Sequence, residues 1–381
     1  MIKCNVCNEN LDKKVYETLS RTSITSICTT VEYPTEVYYC TCCGHIQTLE
    51  LPDELSYYDE TYNFLAESEE EDQIYIVENG QAIYRTQHQV ATLLSKLKLA
   101  KGVRILDYGC AKSSTMRELT RLDLSISPYL FDISERYIPY WKEFIENGKW
   151  ATYQVPDSWT SQFDVVTSFF SLEHISKLGG TLQKIKRVLV EDGCLYAIVP
   201  NTQTNPADLI VVDHPNHFTR DSLEKLLFDN GFTVQEIDEH SHRGAYVVIA
   251  KNKSPVNPPA ELSADLEKNI TSIGNFWKSA AEKVREFEIS KAMDHPSAIY
   301  GAGFYGSFLA ANLNSLKQVR CFIDQNQFLQ GKSIMQRLIV HPRELPSEVS
   351  VIYVALNPRH SKEIIRDIKV FSGKKIHYFY I

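Results

Sequence analysis

Short apolar runs alternate with amphipathic segments from about residue 100 to residue 250, and this alternation restricts the possible folds most strongly. The apolar runs are VRILDYG, SPYLFDIS, FDVVTSFF and GCLYAIVP, and the segments between them include MRELTRL and GTLQKIKRVL. Short buried runs separated by helices predict a parallel sheet covered on both faces. Two later runs, TVQEIDEH and AYVVIAKN, predict adjacent strands that close this sheet antiparallel. The expected fold is therefore a doubly wound α/β sheet.

The rest of the chain divides around this sheet. Residues 1–65 contain short strands and turns with too small a core to be stable unaided, and residues 66–250 begin with a predicted helix from Tyr75 to Leu97 and continue into the sheet. Residues 251–294 combine a Pro-rich linker with a long amphipathic helix predicted from Asp265 to Met293. Residues 295–381 repeat the alternation of strand and helix, so a second, smaller α/β domain is expected there.

Composition excludes several classes of function. The chain has 381 residues, 43% of them hydrophobic, which is enough for two or three domains. The formal net charge of -8 comes with scattered Lys and Arg, so nucleic acid is not an expected partner. The sequence has no long apolar run and no signal-peptide pattern, which favours a cytoplasmic protein that does not bind a membrane. We expect a monomer or a weak homodimer.

Two Cys pairs near the start of the chain have the spacing of a zinc site. CNVC provides Cys4 and Cys7, and CTCCGH provides Cys40 and Cys43. Two such turns complete a tetrahedral set of four thiolates, which leaves no position for a substrate, so the predicted zinc ion is structural. Three alternatives remain: Cys42 at the second turn, His45 in place of one sulfur, or reduced thiols without a metal.

The segment VRILDYGCAKSS predicts a strand that ends at Asp107, a tight turn at Gly109 and a helix that begins near Ser114. This geometry lets backbone N–H groups approach a nucleoside closely, although it also suits an ordinary tight turn. Asp132 ends the next strand, where an acid can accept both hydroxyls of a ribose. Glu173 and His174 follow the third strand. Three strands thus bring polar residues to one edge of the sheet.

These motifs, with FDVV, LEHI and GCLYAIVPN, resemble a class I S-adenosylmethionine-dependent methyltransferase over about residues 76–250. The resemblance implies that Asp107 and Gly109 line the methionine end of the cofactor and that Asp132 holds its ribose. It also implies that Asp157 or its neighbours border the adenine. The remaining implied cofactor residues are Ala111, Ile133 and Phe170.

The whole chain is similar to the bacterial nucleotide-sugar C-methyltransferases. The similarity rests on the Cys₄ segment, the methyltransferase core, the terminal unit with GAGFYGSFL, FIDQN and QGKSI, and the Tyr-rich stretch YYDETYNF that contains Tyr62. It implies a nucleotide-linked deoxy-keto-sugar as substrate, in polysaccharide or natural-product biosynthesis. It also implies that the Tyr-rich stretch reaches over the active site.

Carbon methylation next to a ketone requires a base and a group that holds the enolate. LIVVDHPNHFT offers Asp213, His214 and His217, and His is the usual base near neutral pH. The family has a His-Glu-His stretch here; this chain has Val212, Asp213 and His214, and His217 stands where the family has Tyr. We predict His214 as the base, with Asp213, His217, His174 and Tyr62 as further catalytic candidates.

Each of these candidates also has a structural explanation. HPNHF is a common loop of such folds, in which His217 would cap the following helix beside Thr219. His174 would be a polar group at a helix start, and Tyr62 would be a packing residue. Two alternative functions stay open: a sugar O-methyltransferase, which needs no enolate stabiliser, and a non-catalytic binding protein, which the unusual Lys112 in the Gly109 turn favours.

The terminal unit contains a complete G-x-G-x-x-G spacing at Gly301, Gly303 and Gly306, followed by Asp324. Alone this motif suggests NAD. The resemblance instead implies a Rossmann-like unit that helps to bind the nucleotide-sugar, so we assign the glycines to packing or to phosphate contact.

Overall fold

The computed structural model describes residues 2–53, 56–62, 72–78, 81–122, 125–358, 361–371 and 375–381. The chain forms two compact units, each built from separate stretches of sequence. The first contains Met1–Lys13, Tyr38–Asp208 and His214–Glu267, and the second contains Lys14–Val37, Leu209–Asp213 and Lys268–Ile381.

The described strands and α-helices are numbered along the chain. The strands are β1 (Ile2–Lys3), β2 (Asn10–Leu11), β3 (Lys13–Glu17), β4 (Ser23–Ile24), β5 (Thr30–Val31), β6 (Glu36–Tyr39), β7 (Ile46–Thr48), β8 (Ile74–Glu78), β9 (Gln81–Tyr84), β10 (Arg104–Tyr108), β11 (Ser127–Asp132), β12 (Trp150–Thr152), β13 (Phe163–Phe169), β14 (Leu189–Pro200), β15 (Asn216–His217), β16 (Thr233–Asp238), β17 (Ala245–Lys251), β18 (Ser297–Tyr300), β19 (Val319–Ile323), β20 (Ser333–Ile334), β21 (Arg337–Val340), β22 (Val351–Val354) and β23 (His377–Tyr380). The helices are α1 (Arg85–Lys96), α2 (Ser114–Arg121), α3 (Ile138–Trp141), α4 (Leu178–Val188), α5 (Arg220–Asp229), α6 (Leu266–Phe287), α7 (Phe304–Asn312) and α8 (Ser361–Asp367).

The first unit is built on a seven-stranded sheet in the order β12-β11-β10-β13-β14-β17-β16. The first five of these strands pair in parallel, while β17 pairs antiparallel with both β14 and β16. Two apolar cores, one containing Leu106 and Val166 and the other Ile105 and Val165, occupy opposite faces of the sheet. Neighbouring residues of one strand contribute to different cores because side chains alternate across a strand. The predicted doubly wound sheet and its antiparallel closure are confirmed.

The order of the strands reverses between β10 and β13, which is where open α/β sheets bind ligands. Asp107 of β10 lies in register with Leu130 of β11 and Thr167 of β13. The sheet therefore presents Asp107 at its switch point.

The second unit contains a six-stranded sheet in the order β20-β21-β19-β18-β22-β23. All pairs except β20 with β21 are parallel. Buried residues such as Ala298, Ile352 and Val354 form its core. The second α/β fold is confirmed, and α6 continues into a π-helical turn at Glu288–Ala292, as the predicted long helix requires.

The predicted helix from Tyr75 to Leu97 is wrong in its first part. Residues 74–84 contain the antiparallel pair β8 and β9, in which Ile76 lies opposite Ile83, and the helix begins only at Arg85. β-Branched residues favour strands because their side chains are stiff next to the backbone, and Ile74 and Ile76 occupy alternate positions. The predicted domain boundary after residue 65 lies outside the described residues.

Within the described part of the chain, no helix combines the length and apolar character that crossing a membrane requires.

Candidate active site and metal centre

The four predicted zinc ligands form one cluster. The Sγ atoms of Cys4 and Cys43 are 3.6 Å apart, those of Cys7 and Cys40 are 3.5 Å apart, and all four sulfurs lie within 4.8 Å of one another. Sulfurs bound tetrahedrally to zinc at about 2.3 Å are separated by about 3.8 Å. The donor set and its spacing therefore fit a structural zinc ion.

The two Cys turns have the same backbone geometry. In the first, Asn8 donates its N–H to the Cys4 carbonyl at 2.9 Å, and in the second Gly44 donates to the Cys40 carbonyl at 2.9 Å. Asn8 and Gly44 both have a left-handed φ, 62° and 70°. Asn and Gly tolerate this conformation best, so each C-x-x-C pair is closed by a residue that suits the turn.

The alternatives at the second Cys turn are not part of the cluster. Cys42 is exposed, whereas Cys40 and Cys43 are buried. His45 is buried, its Nε2 lies 3.2 Å from Asn216 Oδ1, and burial lowers its pKa to about 3. His45 is therefore neutral and pairs with Asn216.

Asp107 is held at the switch point by two hydroxyl donors. Ser113 Oγ donates to Oδ2 at 2.8 Å and Thr167 Oγ1 donates to Oδ1 at 2.9 Å. Burial nevertheless raises the pKa of Asp107 to about 6. A buried carboxylate with remaining lone pairs can accept further hydrogen bonds from a ligand's amine or hydroxyl groups.

Gly109 has a φ of +69°, and a Cβ at this position would lie 1.9 Å from Ser171 Oγ. The Ser171 side chain thus occupies the space next to the glycine. This contact brings the turn after β10 against the segment after β13. Glycine is required here for both conformation and space.

Asp132 ends β11 and accepts two backbone hydrogen bonds. Ala111 N donates to Oδ2 at 2.7 Å, and Ser134 N donates to Oδ1 at 3.1 Å. Burial raises the pKa of Asp132 to about 6. The acid therefore fixes the turn that contains Ala111, and its remaining lone pairs can accept hydrogen bonds from a ribose.

The other predicted cofactor residues differ in position. Ile133 directly follows β11 and is half-buried, and Phe170 directly follows β13 with a φ of 52°. The Asp157 side chain is 93% exposed and pairs with Arg187 at 2.6 Å. Its role at the adenine stays a prediction.

Asp208 joins two of the predicted His residues. Its carboxylate lies 2.7 Å from His214 Nδ1 and 2.9 Å from His217 Nδ1, and Thr202 Oγ1 donates to it at 2.8 Å. Burial acts to raise the pKa of Asp208, but the two imidazoles outweigh burial and hold this pKa well below its usual range. Asp208 is therefore an anion that orients both rings.

His174 lies next to His214, with ring centroids 4.5 Å apart. Its Nδ1 is 2.9 Å from the Tyr58 hydroxyl, and its ring also contacts Tyr62 at 5.4 Å between centroids. Polar atoms of Glu173, His174 and His214 lie within 4.8 Å of one another. The structure therefore gathers three predicted residues, His174, His214 and Tyr62, at one place.

Glu173 is 1% exposed, and its Oε2 has no hydrogen-bond partner among the described residues. Burial raises its pKa to about 7, although His214 and Arg85 act in the opposite direction. An unsatisfied buried carboxyl oxygen is uncommon in folded proteins.

Two contacts of Arg136 join the Tyr-rich segment to the end of β11. Arg136 donates to the carbonyls of Asp59 and Tyr62 at 3.1 and 3.0 Å. Its own N–H is accepted by Ser134 Oγ. The segment 57–62 therefore contacts both the Asp132 side and the His174 side of this edge of the sheet.

Sequence reasoning missed Asp208 and Tyr58. Asp208 lies in a short 3₁₀ turn, Pro206–Ile210, and no local motif marks it. Asp213 is a catalytic candidate from the sequence, and its carboxylate accepts hydrogen bonds from the backbone N–H and the hydroxyl of Ser26, both at 2.7 Å. The predicted role of Asp213 in catalysis is not tested by these contacts.

Comparison with known families gives a match over part of this chain. Residues 79–237 match the model described as a methyltransferase domain. The matched range contains Asp107, Gly109, Asp132, His174 and His214.

Solved structures similar to this chain include several methyltransferases. An S-adenosylmethionine-dependent methyltransferase from Mesorhizobium loti is 14% identical, with a TM-score of 0.36 over 43% of this chain and 97% of that one. A SAM-dependent methyltransferase from Aquifex aeolicus is 17% identical, with a TM-score of 0.35 over 42% and 88%. The CurJ carbon methyltransferase is 17% identical, with a TM-score of 0.35 over 44% and 55%. A search of curated proteins gave no match.

Proposed function

Residues 79–237 are a methyltransferase domain, and from this premise we propose that the protein transfers a methyl group from S-adenosylmethionine to a carbon of a nucleotide-linked deoxy-keto-sugar, with His214 as base. One observation carries the proposal: His214, oriented by Asp208, lies against His174, which follows Ser171 at the cofactor turn. A base close to the methyl donor is what carbon methylation requires.

The turn at the end of β10 suits the methyl donor chemically. The donor's amine and ribose hydroxyls need acceptors, and Asp107 and Asp132 are buried carboxylates on either side of the turn that contains Gly109. When bound, S-adenosylmethionine supplies an electrophilic methyl group on a sulfonium. The chain's residues bind and orient it.

His214 is suited to remove a proton. Its Nδ1 is fixed by Asp208, so Nε2 is the nitrogen assigned to the substrate. Asp208 stays ionised, and an anion at this position stabilises the imidazolium that forms after proton removal. Tyr58 and His174 are the polar groups placed to hold the developing enolate oxygen.

The substrate class rests on the whole-chain resemblance. In this proposal the segment 57–62 covers the sugar, the zinc centre is structural, and the reaction belongs to the biosynthesis of sugars for polysaccharides or natural products. The Rossmann-like fold of residues 295–381 is proposed to help bind the nucleotide.

A sugar O-methyltransferase is the second candidate, and His217 favours it. His217 is fully buried, with Nδ1 near Asp208 and Nε2 2.7 Å from Thr48 Oγ1. His217 stands where the resembled family has Tyr. Because both of its ring nitrogens already have partners, His217 holds Asp208 and does not contact an enolate. Oxygen methylation needs a base but no enolate stabiliser.

Mass spectrometry tests the proposal directly. The purified protein is incubated with S-adenosylmethionine and a panel of nucleotide-linked keto-sugars, and the expected product has gained one methyl group in place of a hydrogen. Proton exchange next to the ketone in deuterated water, without the methyl donor, distinguishes the two candidates. Proton exchange that requires His214 supports carbon as the methyl acceptor. Methylation without such exchange supports oxygen as the acceptor.

A further inference from the structure

Three side chains that can bind a metal ion lie together after the end of β13. They are Glu173, His174 and His214, and we call them the Glu-His-His group. One ligand atom of each lies within 4.8 Å of the others. Glu173 is buried and His214 is only 7% exposed, so the group lies largely inside the protein. Two imidazoles and one carboxylate form a donor set that divalent transition metals bind, with positions left for water.

Glu173 offers an acceptor that the described residues do not use. Its Oε2 is buried and has no hydrogen-bond partner among them. Leaving such an atom unpaired costs about 1–3 kcal/mol, and more when the group is charged. A cation bound between the carboxylate and the two imidazoles would remove this cost.

The ring of His214 is held as in a metal centre. A metal-bound His usually donates its other ring N–H to a carboxylate, which fixes the ring and directs the second nitrogen at the ion. Nδ1 of His214 lies 2.7 Å from Asp208 Oδ1, so Nε2 is the nitrogen assigned to the ion. The Tyr58 hydroxyl, 2.9 Å from Nδ1 of His174, restricts the second ring.

A neighbouring group, Asp208, His214 and His217, is also compact enough for an ion. Its polar atoms are already used, however. Asp208 lies 2.7 and 2.9 Å from the two rings, and Nε2 of His217 lies 2.7 Å from Thr48 Oγ1. Asp208 and His217 therefore support the ring of His214, and the Glu-His-His group is the better metal site.

The Glu-His-His group needs only a small adjustment to hold an ion. Nitrogen and oxygen ligands lie about 2.0–2.2 Å from zinc, so around a tetrahedral ion they are about 3.4 Å apart. Separations of up to 4.8 Å must therefore close by no more than about 1.5 Å. Glu173 and Asp208 also bring two buried carboxylates close to the position of a doubly charged ion.

We propose that the Glu-His-His group binds a divalent transition-metal ion, and that this ion inhibits methyl transfer because it occupies the nitrogen of His214 that removes the proton. An imidazole nitrogen bound to a metal has no lone pair left for a proton. The ion is distinct from the structural zinc of the four Cys residues. The inhibition rests on the proposed function, in which His214 is the base, whereas the metal site does not.

Cobalt titration of the full-length protein tests the site. One equivalent of zinc first fills the four-thiolate centre, because thiolates suit zinc better than the Glu-His-His donors do. Cobalt(II) is then added, and zinc itself does not absorb visible light. We expect one further equivalent of metal per chain, with d–d absorption and without thiolate-to-cobalt charge transfer. X-ray absorption at the cobalt edge should show nitrogen and oxygen neighbours and no sulfur.

Three substitutions distinguish this group from adventitious surface sites. Glu173→Gln removes the anionic ligand and should weaken cobalt about a hundredfold or more, because loss of a mere ligand partner already costs about tenfold to a hundredfold. Asp208→Asn removes such a partner and should show this smaller loss. His240→Asn changes an exposed His outside the group and should leave cobalt affinity unchanged. Thermal melting checks the folding of each variant.

Methyl transfer at the same cobalt concentrations tests the inhibition. We expect the wild-type rate to fall about a hundredfold or more at saturation, because the base is blocked. The loss should follow the same concentration dependence as the cobalt absorption. Glu173→Gln should need about a hundredfold more cobalt for an equal fractional loss, relative to its own rate without cobalt.

The metal site is overturned if wild-type protein takes up no second ion, or if Glu173→Gln binds cobalt as tightly as wild type. The inhibition is overturned if the rate is unchanged or rises when the group is filled. If wild-type protein binds the second ion through this group but methylates no sugar, the inhibition fails together with the proposed function, and the metal site stands.

Discussion

In both α/β units, a backbone N–H in the turn after the first strand of the α/β fold is bound by a carboxylate from the end of the next strand. The side chains around the two turns differ. In the first unit, Asp132 Oδ2 accepts from Ala111 N at 2.7 Å, and in the second, Asp324 Oδ2 accepts from Ala302 N at 2.8 Å. The other oxygen of each acid accepts from the backbone two residues later, at Ser134 and Asn326. In both units an acid after the second strand therefore fixes the turn after the first.

The side chains next to the two turns differ. The first unit reads Asp107, Tyr108 and Gly109, and the second reads Ile299, Tyr300 and Gly301. Ile299 is fully buried and apolar, so the second turn lacks the inner carboxylate. The Glu173, His174 and His214 group belongs to the first unit, and no comparable group was found among the described residues of the second. A shared fold therefore implies no shared chemistry.

Metal removal should give the largest difference between the units. All four Cys ligands belong to the first unit, and structural zinc contributes about 10–16 kcal/mol of apparent binding free energy in zinc-finger peptides. We expect Cys4→Ser or a strong chelator to remove the bound zinc and to lower the melting temperature of the first unit. Elemental analysis and calorimetry measure both effects. Cys42→Ser is the control, and equal zinc content in Cys4→Ser and wild type would contradict the assignment.

Replacing the proposed base should abolish most of the activity. His214→Asn is expected to lower the methyl-transfer rate about a hundredfold to ten-thousandfold, because a positioned base contributes that much. Binding of S-adenosylhomocysteine should change little. His377→Asn, on an exposed strand position of the second unit, should be fully active. Turnover of His214→Asn near the wild-type rate would remove His214 from this role.

Two glycines at different positions of the two turns, Gly109 in the first unit and Gly303 in the second, should respond differently to a methyl group. Gly109→Ala places a Cβ at a φ of +69° and against Ser171, whereas Gly303→Ala meets no atom within 4 Å. We expect Gly109→Ala to lower the free energy of unfolding by about 2–5 kcal/mol, and Gly303→Ala to have little effect. Urea unfolding of both variants measures this. Similar stabilities of the two variants would show that the backbone at Gly109 adapts easily to a Cβ.

The two equivalent acids should differ in cofactor binding. Asp132→Asn is expected to weaken S-adenosylhomocysteine about tenfold to a hundredfold, because an amide replaces a charged acceptor. Asp324→Asn should leave this affinity unchanged. Calorimetric titration compares the variants. A comparable loss of affinity in Asp324→Asn would show that our proposal places the nucleoside at the wrong turn.

Glu173 should make the stability of the first unit depend on pH. Burial raises its pKa to about 7 from an unfolded value of 4.5. Because its pKa is raised in the folded protein, Glu173 loses its proton at a lower pH in the unfolded chain than in the folded protein. The stability that protonated Glu173 contributes is therefore complete below pH 4.5 and is lost as the pH rises to about 7. Glu173→Gln should remove roughly 3 kcal/mol of this dependence between pH 4.5 and 7.5, because each pKa unit corresponds to about 1.4 kcal/mol. Urea unfolding of the ligand-free protein at pH 4.5 and 7.5 measures it, and identical pH profiles would contradict it.

Local patterns predicted most of the elements. Short apolar runs became β10, β11, β13 and β14, and the two later runs closed the sheet antiparallel. The prediction is wrong at residues 74–84, where two strands precede α1 in a stretch that the sequence pattern assigns to the helix. In so short a stretch, the spacing of apolar residues fits both the helical period and the strand period. Only the pairing of the two strands distinguishes a strand from a helix there.

The sequence by itself determined the two α/β folds, the Cys₄ centre and the acids at the strand ends. These depend on periodicity and short spacings, which are properties of neighbouring residues. Only the tertiary structure decided that Asp208 holds His214, that Tyr58 meets His174, and that polar atoms of Glu173 and His214 lie within 4.8 Å of each other. Tyr58 and His174, for example, are far apart along the chain, and a contact between them forms only when the sheet and its loops pack. No local pattern encodes such a contact.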